Sequence, residues 1–547
     1  SSRYLALASA GALLSFVEHI QNISLARGSL RVSWEEASGH MSIDLDSVRG
    51  LEVLVNSRTT TDKATLFQAI NHTKTTVGRR LLRVNLLSPH NDTTTLEARL
   101  DCVEELLTNQ AAFFTVTEGL AKLVDLDLLL TNVALQPRVS TPRSARRTIQ
   151  AVIDLKQTID ALPGIATALD TCGSHLLSVL AVNFRNPQLQ EMAELINHVI
   201  MPDTTRSKSA ALMRQQECFA VRKGIDGDLD AVRTVYMDAI SDLYDLTEQY
   251  KVDCACVWMC PRLELRYNST RGYHLVLPKG FAPPPMCIQV VKNRSSTACC
   301  TEDLASLNSR CKESLDNVYC ITHMILEEVL TELRSRMSAL FTLADSVALL
   351  DLVGSFTSLV RHSPNEFARP TLVPLDAPQA DRVLAVEQGR HPVVEFVFSS
   401  KPFVPNDIRM APDGSLLLLT GANNSGKSTY LQQVALLVIL AHLGCYLPCK
   451  AAVVPMVDHL FTRMGSGDDM EANVSSFLMV CSLTQAAQEM QEMAAIVKRA
   501  TPLSLVLVDE LGRSTSNEDG LGIAWAVCEH FLGLGCFTVF VTHYHQL

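Results

Sequence analysis

The sequence predicts a multidomain protein with an all-α part of long helices and a small β-containing insert, followed by an α/β domain with a mixed, mostly parallel sheet. Three observations indicate this fold class. The chain has 547 residues, more than one hydrophobic core usually serves, and 47% of them are apolar. Apolar residues recur at three- and four-residue spacing between residues 65 and 189. After residue 371, apolar strands alternate with helices.

The first two hundred residues have the pattern of helices. Residues 1–25 predict one buried amphipathic helix rather than a signal peptide, because only Arg3 precedes the apolar stretch. Residues 29–56 predict a short strand pair and a helix start, after which "LEARLDCVEELL" and "GLAKLVDLDLLLTNVAL" continue the helical spacing. Because proline removes a helical hydrogen bond, breaks are expected at four positions: Pro89, Pro137, Pro142 and Pro163.

The middle of the chain, residues 212–340, predicts two very long helices on either side of a β-containing insert. The stretch "LELRYNSTRGYHLVL" alternates as a strand, and "APPPM" forms a stiff turn. This order favours a lever with a tip. A plain helical bundle with a loop is the simpler alternative.

The last segment predicts a sheet covered on both faces. Its strands are "VVEFVF", "SLLLLT", "LSLVLVDE" and "FTVFVTH", with helices between them. The apolar run at residues 434–443 is too short to span a bilayer and predicts a buried helix.

Charge and cysteine usage limit the possible functions. The net charge is −11, and residues 401–547 hold 8 basic against 13 acidic side chains, so this end is not expected to carry DNA. The densest cysteine group, within residues 254–300, lacks paired C-x-x-C spacing, which disfavours zinc. Free cysteines in an intracellular setting fit better than disulfides. No initiator Met begins the sequence, which we interpret as a piece of a longer protein.

A phosphate-binding loop is predicted at "GANNSGKS", because it fits G-x-x-x-x-G-K-[ST] between a strand and a helix. Lys427 is expected to reach the β and γ phosphates of ATP, and Ser428 to hold Mg²⁺. The loop would turn its backbone N–H groups toward the phosphates. The residues assigned to nucleotide binding here are Gly421, Ala422, Asn423, Asn424, Ser425, Gly426, Lys427, Ser428 and Thr429.

Two carboxylates and a histidine complete the predicted ATP site. Asp509 and Glu510 follow the apolar strand of "LSLVLVDE" at its carboxyl end, where open α/β sheets bind ligands. Asp509 suits Mg²⁺ coordination, and Glu510 suits polarising the attacking water. His543, after a third strand, is a candidate γ-phosphate sensor. The alternatives are an exposed acidic turn after the strand and a structural histidine.

These sites, in this order, resemble the ATPase of the MutS family, an ABC-type branch of phosphate-loop enzymes. Neighbouring stretches agree: "EQGRHPVVE", "PFVPND", "GCYLPCKAA", "FTRMGSGDDMEANVSSF" and, upstream, "HTKTTVGRRLLR". The resemblance implies that Phe403 and Asn406 hold the adenine. It also implies that Ser475 reaches the γ phosphate of a partner chain, so that each ATP lies between two chains.

The resemblance further implies a DNA clamp whose levers respond to ATP. It implies five parts: 1–25, the end of a connector region; 26–211, the first part of the lever; 212–310, the clamp; 311–370, the returning lever helices; and 371–547, the ATPase. The clamp tip near residues 230–300 offers Arg266, Arg271 and Lys279 for contacts with DNA phosphates. A charged loop that is only solvated is the alternative. The domain with which family members wedge a mismatch lies outside this chain.

Within the family, "LFQAINHTKTTVGRRLLRVNLLSP" and "RYLALASAGALLSFVEHIQN" resemble the meiotic branch. That branch implies a nuclear protein that pairs with a second MutS homologue, clamps double-stranded or branched DNA and promotes crossovers, with MutL-type proteins as further partners and no membrane. A mismatch-repair member and a non-hydrolysing scaffold switched by ATP remain alternatives. An ABC transporter or cohesion ATPase is disfavoured, because neither membrane spans nor a long coiled coil is evident.

The sequence departs from the family pattern at three places. Ala422 and Asn424 change the loop at positions that supply no phosphate-binding side chain. Ser514 replaces a glycine and would be strained by roughly 1 kcal/mol at a positive φ. About nine extra residues, 480–488, precede the "EM" of the family, so we expect that the insert loops out, that the helix re-pairs, or that a short intron was left unspliced; we favour the last hypothesis, which transcript sequencing tests.

Overall fold

The computed structural model describes residues 4–34, 39–56, 61–206, 210–256, 263–268, 271–278, 283–292, 296–398, 403–422, 425–464, 477–512 and 515–547. The chain forms two compact units that interleave along the sequence. The first contains Ser1–Val32, Leu123–Pro163 and Arg185–Thr342, and the second contains Ser33–Lys122, Gly164–Phe184 and Leu343–Leu547. The five-part division drawn from the sequence stays a prediction.

Helices dominate the described residues, and short strands connect them. The helices are α1 Tyr4–Gln21, α2 Leu45–Gly50, α3 Leu66–Ile70, α4 Thr76–Leu87, α5 Thr93–Thr108, α6 Gln110–Ala121, α7 Leu126–Ala134, α8 Pro142–Leu169, α9 His175–Phe184, α10 Pro187–Val199, α11 Ala210–Cys218, α12 Gly227–Cys256, α13 Glu302–Ser335, α14 Met337–His362, α15 Pro392–Val397, α16 Lys427–Ala441, α17 Phe477–Arg499 and α18 Asn517–Leu534. The strands are β1 Ile23–Leu25, β2 Ser42–Ile43, β3 Leu135–Pro137, β4 Glu264–Asn268, β5 Gly272–Pro278, β6 Ile288–Lys292, β7 Ser296–Cys300, β8 Thr371–Val373, β9 Leu384–Gly389, β10 Asn406–Met410, β11 Leu416–Leu419, β12 Ala451–Pro455, β13 His459–Arg463, β14 Leu505–Asp509 and β15 Phe537–Val541.

The first unit contains the two long helices and the small sheet that the sequence predicts. Helix α12 has 30 residues and α13 has 34, and they pack against each other. Between them in the chain lies an antiparallel sheet in the order β4-β5-β7-β6. The single strand predicted for residues 263–277 is instead the hairpin β4-β5. Gly272 has φ +75°, which favours glycine and ends the turn.

The second unit contains two sheets, which together confirm the predicted α/β domain. Strands β11-β15-β14-β13-β2, in this order, form a parallel sheet, and β10-β9-β12-β8 form a mixed one. Every residue of β14 and β15 is buried, as is typical of parallel strands between helices. Helix α16 is buried from residue 433 to its end, as its apolar run predicts.

Several local predictions are wrong, each for a physical reason. Helix α1 has no buried residue, and most of its apolar side chains are exposed, with Leu14 and Val17 partly buried. Helix α8 continues through Pro163, because buried apolar neighbours in the adjoining turns outweigh one lost hydrogen bond. The stretch "VVEFVF" forms helix α15 rather than a strand, since Pro392 occupies its first turn and His391 Nδ1 accepts a hydrogen bond from Val394 N–H.

The extra residues 480–488 lie inside helix α17, so the expectation that they loop out is wrong. The second half of α17 packs against β13 and α18. Its buried side chains are Glu489, Met493 and Ile496. These contacts fix the rotation of the helix from its carboxyl half. The unspliced intron stays a hypothesis.

One described helix, α14, is long and apolar enough to cross a membrane by length and composition. Its most apolar window is 72% buried inside the protein, which is typical of the core helix of a soluble fold.

Candidate nucleotide-binding site

The loop between β11 and α16 has the geometry of a phosphate-binding loop. Gly426 precedes the first residue of α16 with φ +96°, a conformation that only glycine adopts without strain. No side chain caps this helix end, so its first N–H groups point into the loop without a side-chain acceptor. Such a helix start suits an anion, because its unpaired N–H groups and dipole both favour negative charge.

Lys427 lies over this loop. Its Nζ donates to the carbonyl oxygens of Gly421 and Ala422, each at 3.0 Å. Ser425 N–H closes the loop on Ala422 O at 3.3 Å. Phosphate oxygens entering the loop could replace the two carbonyl oxygens as acceptors for the ammonium group.

Ser428 and Asp509 meet at the end of β14, which fits a magnesium site. Asp509 is 9% exposed, and its Oδ1 has no hydrogen-bond partner among the described residues. Burial raises the pKa of the Asp509 carboxyl above its ordinary value, whereas a hydrogen bond from the Ser428 hydroxyl acts in the opposite direction. A buried carboxylate oxygen without a partner is costly unless a cation satisfies it. A hydroxyl and a carboxylate are the oxygen ligands that Mg²⁺ prefers.

Glu510 and His543 form a pair beside this site. His543 Nε2 lies 2.9 Å from Glu510 Oε1. The Glu510 N–H donates to Val541 O at 3.0 Å, and its φ of +50° turns the residue out of the strand direction. A glutamate held at a positive φ is strained, and such residues concentrate at functional sites. The ends of β14 and β15 therefore bring together the predicted base and the predicted sensor.

The predicted adenine segment lies beside the first turns of α16. Asn406 Nδ2 donates to Gln433 Oε1 at 3.1 Å, and Tyr430 Oη donates to Asp407 O at 2.9 Å. The Phe403 ring is half-buried, 6.4 Å from the His391 ring. The role of Phe403 and Asn406 in holding adenine stays a prediction.

Some predicted residues lie outside the described part of the chain. They are Asn423, Asn424, Ser475, Ser514 and Lys279. Ser425 and Thr429 lie in the loop and on the first turn of α16. In the first unit, Arg266 is paired with Glu264 at 2.7 Å, and Arg271 lines a cavity.

The sequence did not predict one contact close to Glu510, which joins Gly512 to Glu489 of α17. Gly512 has φ +85°, and a Cβ there would lie 2.8 Å from Gly520 Cα. The Gly512 N–H donates to Glu489 Oε1 at 3.0 Å, and Glu489 is buried in α17. Arg463 of β13 lies 3.8 Å from the same oxygen. A glutamate on an otherwise apolar helix face was the available signal.

Comparisons with known proteins agree with this geometry. Residues 417–547 match the family model of MutS domain V, and residues 46–357 match that of MutS domain III. The chain is 36% identical over its whole length to the DNA mismatch repair protein MSH4 of Arabidopsis thaliana, of which it covers 69%. It is 34% identical over its whole length to MutS protein homolog 4 of Mus musculus, of which it covers 55%.

A bacterial relative is similar over nearly the same span. The chain is 30% identical to the DNA mismatch repair protein MutS of Caldanaerobacter subterraneus over 98% of its own length, and covers 58% of that protein. The chain thus spans little more than half of the mouse and bacterial relatives. These matches confirm the predicted family. On the sequence matches and the geometry of the site together, the chain belongs to the MutS family.

Proposed function

We propose that the intact protein is an ATP-hydrolysing DNA clamp of the meiotic MutS type. In this proposal it acts in the nucleus on branched recombination intermediates and promotes crossovers, with a second MutS homologue as its pair and a MutL-type protein as a further partner. The observation that carries the proposal is the convergence of Lys427, Ser428 and Asp509 beside the pair Glu510–His543 at the carboxyl ends of parallel strands.

Each residue of the site has one task in this mechanism. The loop N–H groups and Lys427 bind and orient the triphosphate. Ser428 and Asp509 would hold Mg²⁺, which supplies charge neutralisation at the β and γ phosphates. Glu510 orients the attacking water and accepts its proton at the carboxylate, and His543 holds that carboxylate in place.

A complete ATP site would require two chains, because the resemblance implies that Ser475 of one chain contacts the γ phosphate of the ATP bound to its partner. Phe403 and Asn406 would hold the adenine. In this view the long helices α12 and α13 are the arms that carry the clamp, and ATP sets the position of the arms. Residues 33–122, which lie in the range that the resemblance assigns to the lever, fold in the same compact unit as the ATPase strands.

The test uses the full-length protein with its partner chain. Replacing Glu510 by glutamine is expected to leave ATP binding intact and to lower turnover by at least about tenfold, because the base is lost. The matched control is Glu518→Gln, an exposed carboxylate in the first turn of α18 that forms no hydrogen bond or ion pair with the described residues of the site. Equal turnover in Glu510→Gln and the control would refute the assigned base, whereas no measurable turnover in the unaltered protein would favour the non-hydrolysing scaffold.

A mismatch-repair function is the second candidate, because the Arabidopsis relative is called a DNA mismatch repair protein. Retention of labelled DNA after ATP addition separates the two functions. The proposal predicts that a branched duplex is retained and that a mismatched linear duplex is released no more slowly than a matched one. Preferential retention of the mismatched duplex would favour repair.

A further inference from the structure

The first unit contains a cavity that the proposed ATP site does not use. Its volume is about 710 Å³, and its walls come from the first turn of α8, helices α11 and α13, and the hairpin β4-β5. We call it the basic cavity, because five of its lining side chains are cationic: Arg143, Arg146, Arg214, Arg271 and Lys312. Among the residues that the structure describes, a single carboxylate, that of Asp316, also lines it.

Most of these cations form no salt bridge among the described residues, although the charge of Lys312 acts on the carboxyl of Asp316. Arg146 is paired with Glu217 at 2.7 Å. Among the described residues, the other four form no ion pair with a carboxylate. The chain as a whole has a net charge of −11, so a cluster of positive charge in this cavity is opposite in sign to the rest of the protein. Like charges held together without counterions destabilise a fold, so an anionic ligand would relieve a cost that the protein alone carries.

Aromatic rings lie among the cations. The guanidinium carbon of Arg214 lies 3.4 Å from the centroid of the Tyr267 ring. Tyr267 and Tyr273 contact each other edge to face with centroids 5.0 Å apart. Tyr236 and Tyr319 also line the cavity. Rings and guanidinium planes beside phosphate-binding cations are the arrangement with which proteins stack the bases of single strands.

The size of the cavity restricts the ligand. Small-ligand sites occupy about 300–1,000 Å³, and the basic cavity falls within this range. A duplex is too wide to enter a space of this size, whereas roughly one or two unstacked nucleotides fit. We propose that the basic cavity holds an unpaired segment of a nucleic-acid strand, with phosphates on Arg143, Arg271 and Lys312 and a base beside Tyr267. Branched DNA offers such segments. Arg214, Tyr267 and Arg271 lie within residues 212–310, the range that the resemblance assigns to the clamp, but binding at this site requires no ATP.

The test measures binding of a fluorescent oligothymidylate of about eight nucleotides to the full-length protein with its partner, without ATP. The cavity variant replaces Arg143, Arg271 and Lys312 by alanine. The control variant replaces three exposed cations of the same unit outside the cavity, with the same change of charge: Arg147, Lys223 and Arg310. Equal thermal midpoints of the two variants show that both fold.

The cavity variant is expected to bind roughly tenfold or more weakly than the control at low salt. The slope of log affinity against log salt concentration is expected to be shallower by about 2 in the cavity variant. Each phosphate contact on a single strand contributes about 0.7 to this slope, and the variant removes three. An abasic strand with the same phosphates is expected to bind the unaltered protein at least about fivefold more weakly, because it cannot stack.

Three results would overturn the proposal. Equal affinities of the cavity and control variants would show that the cavity does not take the strand. Competition by inorganic pyrophosphate at equal phosphate concentration would indicate a site for free phosphates, and competition by polyglutamate would indicate an acidic polypeptide. Because no ATP is present, failure of the proposed ATPase would not affect any of these results.

Discussion

Replacing Glu489 by alanine is expected to slow ATP turnover while ATP binding stays nearly unchanged. Glu489 Oε1 accepts a hydrogen bond at 3.0 Å from the N–H of Gly512, two residues after the proposed base Glu510. Glu489 is 3% exposed and lines, with Gly512, a cavity of about 200 Å³, so only water from that cavity could replace the lost acceptor, without holding it in a fixed position. The turn that holds Glu510 would therefore lose its support from α17.

The structure gives a magnitude for this effect. A hydrogen bond to a charged acceptor contributes about 1.5–3 kcal/mol to the geometry it fixes. A change of 1.36 kcal/mol in the barrier changes a rate about tenfold. If the loss of this hydrogen bond raises the barrier to hydrolysis by the same free energy, because Glu510 is no longer held in position, turnover falls by roughly ten- to a hundredfold. The Glu489→Gln variant keeps an acceptor oxygen and is expected to lie between alanine and the unaltered protein.

The assay compares steady-state phosphate release and nucleotide affinity in the full-length pair of chains. The control is Glu492→Ala, one turn along α17, which loses a contact with Arg463 at 3.1 Å but leaves Gly512 bonded. Unchanged turnover in Glu489→Ala would refute the supporting role. So would equal losses in the two alanine variants, because that result would point to Arg463 or to general destabilisation.

Three further predictions concern the second unit. Gly512→Ala is expected to lower thermal stability and turnover together, since its φ of +85° costs an L-residue roughly 1–2 kcal/mol and the added Cβ meets Gly520; unchanged melting would contradict this. Asp509→Asn is expected to abolish the stabilisation by Mg²⁺ and ATP without lowering the thermal midpoint of the nucleotide-free protein, because it removes a buried charge whose pKa burial raises; a large loss of stability would contradict this. Burial lowers the pKa of His442 to about 4. Between pH 6.5 and pH 4 the unfolded chain therefore binds a proton at this histidine and the folded chain does not. The free energy of unfolding falls as the pH is lowered through this range. The fall in the free energy of unfolding between pH 7 and pH 5 is therefore expected to be about 2 kcal/mol smaller in His442→Gln, as urea titration would measure, and an equal fall would contradict it.

The sequence predicts those parts of the fold whose signals are local. The apolar runs of β14 and β15 identify buried strands, and the run after Lys427 identifies a buried helix. Strand β2 gives no such signal, because two residues carry no periodicity and its partner strand β13 lies about four hundred residues further along the chain. The exposure of α1 is likewise unpredictable from its pattern, since amphipathic spacing does not say whether another element covers a helix.

The candidate site divides in the same way. Lys427, Ser428, Asp509 and Glu510 are predictable because phosphate binding requires fixed residue types in contiguous stretches. The contact between Gly512 and Glu489 joins residues 23 apart on different elements, and no spacing rule connects them. Only the packing of α17 reveals it.

The most direct test of the proposed site is a structure of the full-length protein and its partner with Mg²⁺ and a non-hydrolysable ATP analogue. The proposal predicts that Lys427 Nζ leaves the carbonyl oxygens of Gly421 and Ala422 for phosphate oxygens, with Mg²⁺ between Ser428 and Asp509. A nucleotide bound elsewhere, or Lys427 still bonded to its own loop beside a bound nucleotide, would contradict the proposal.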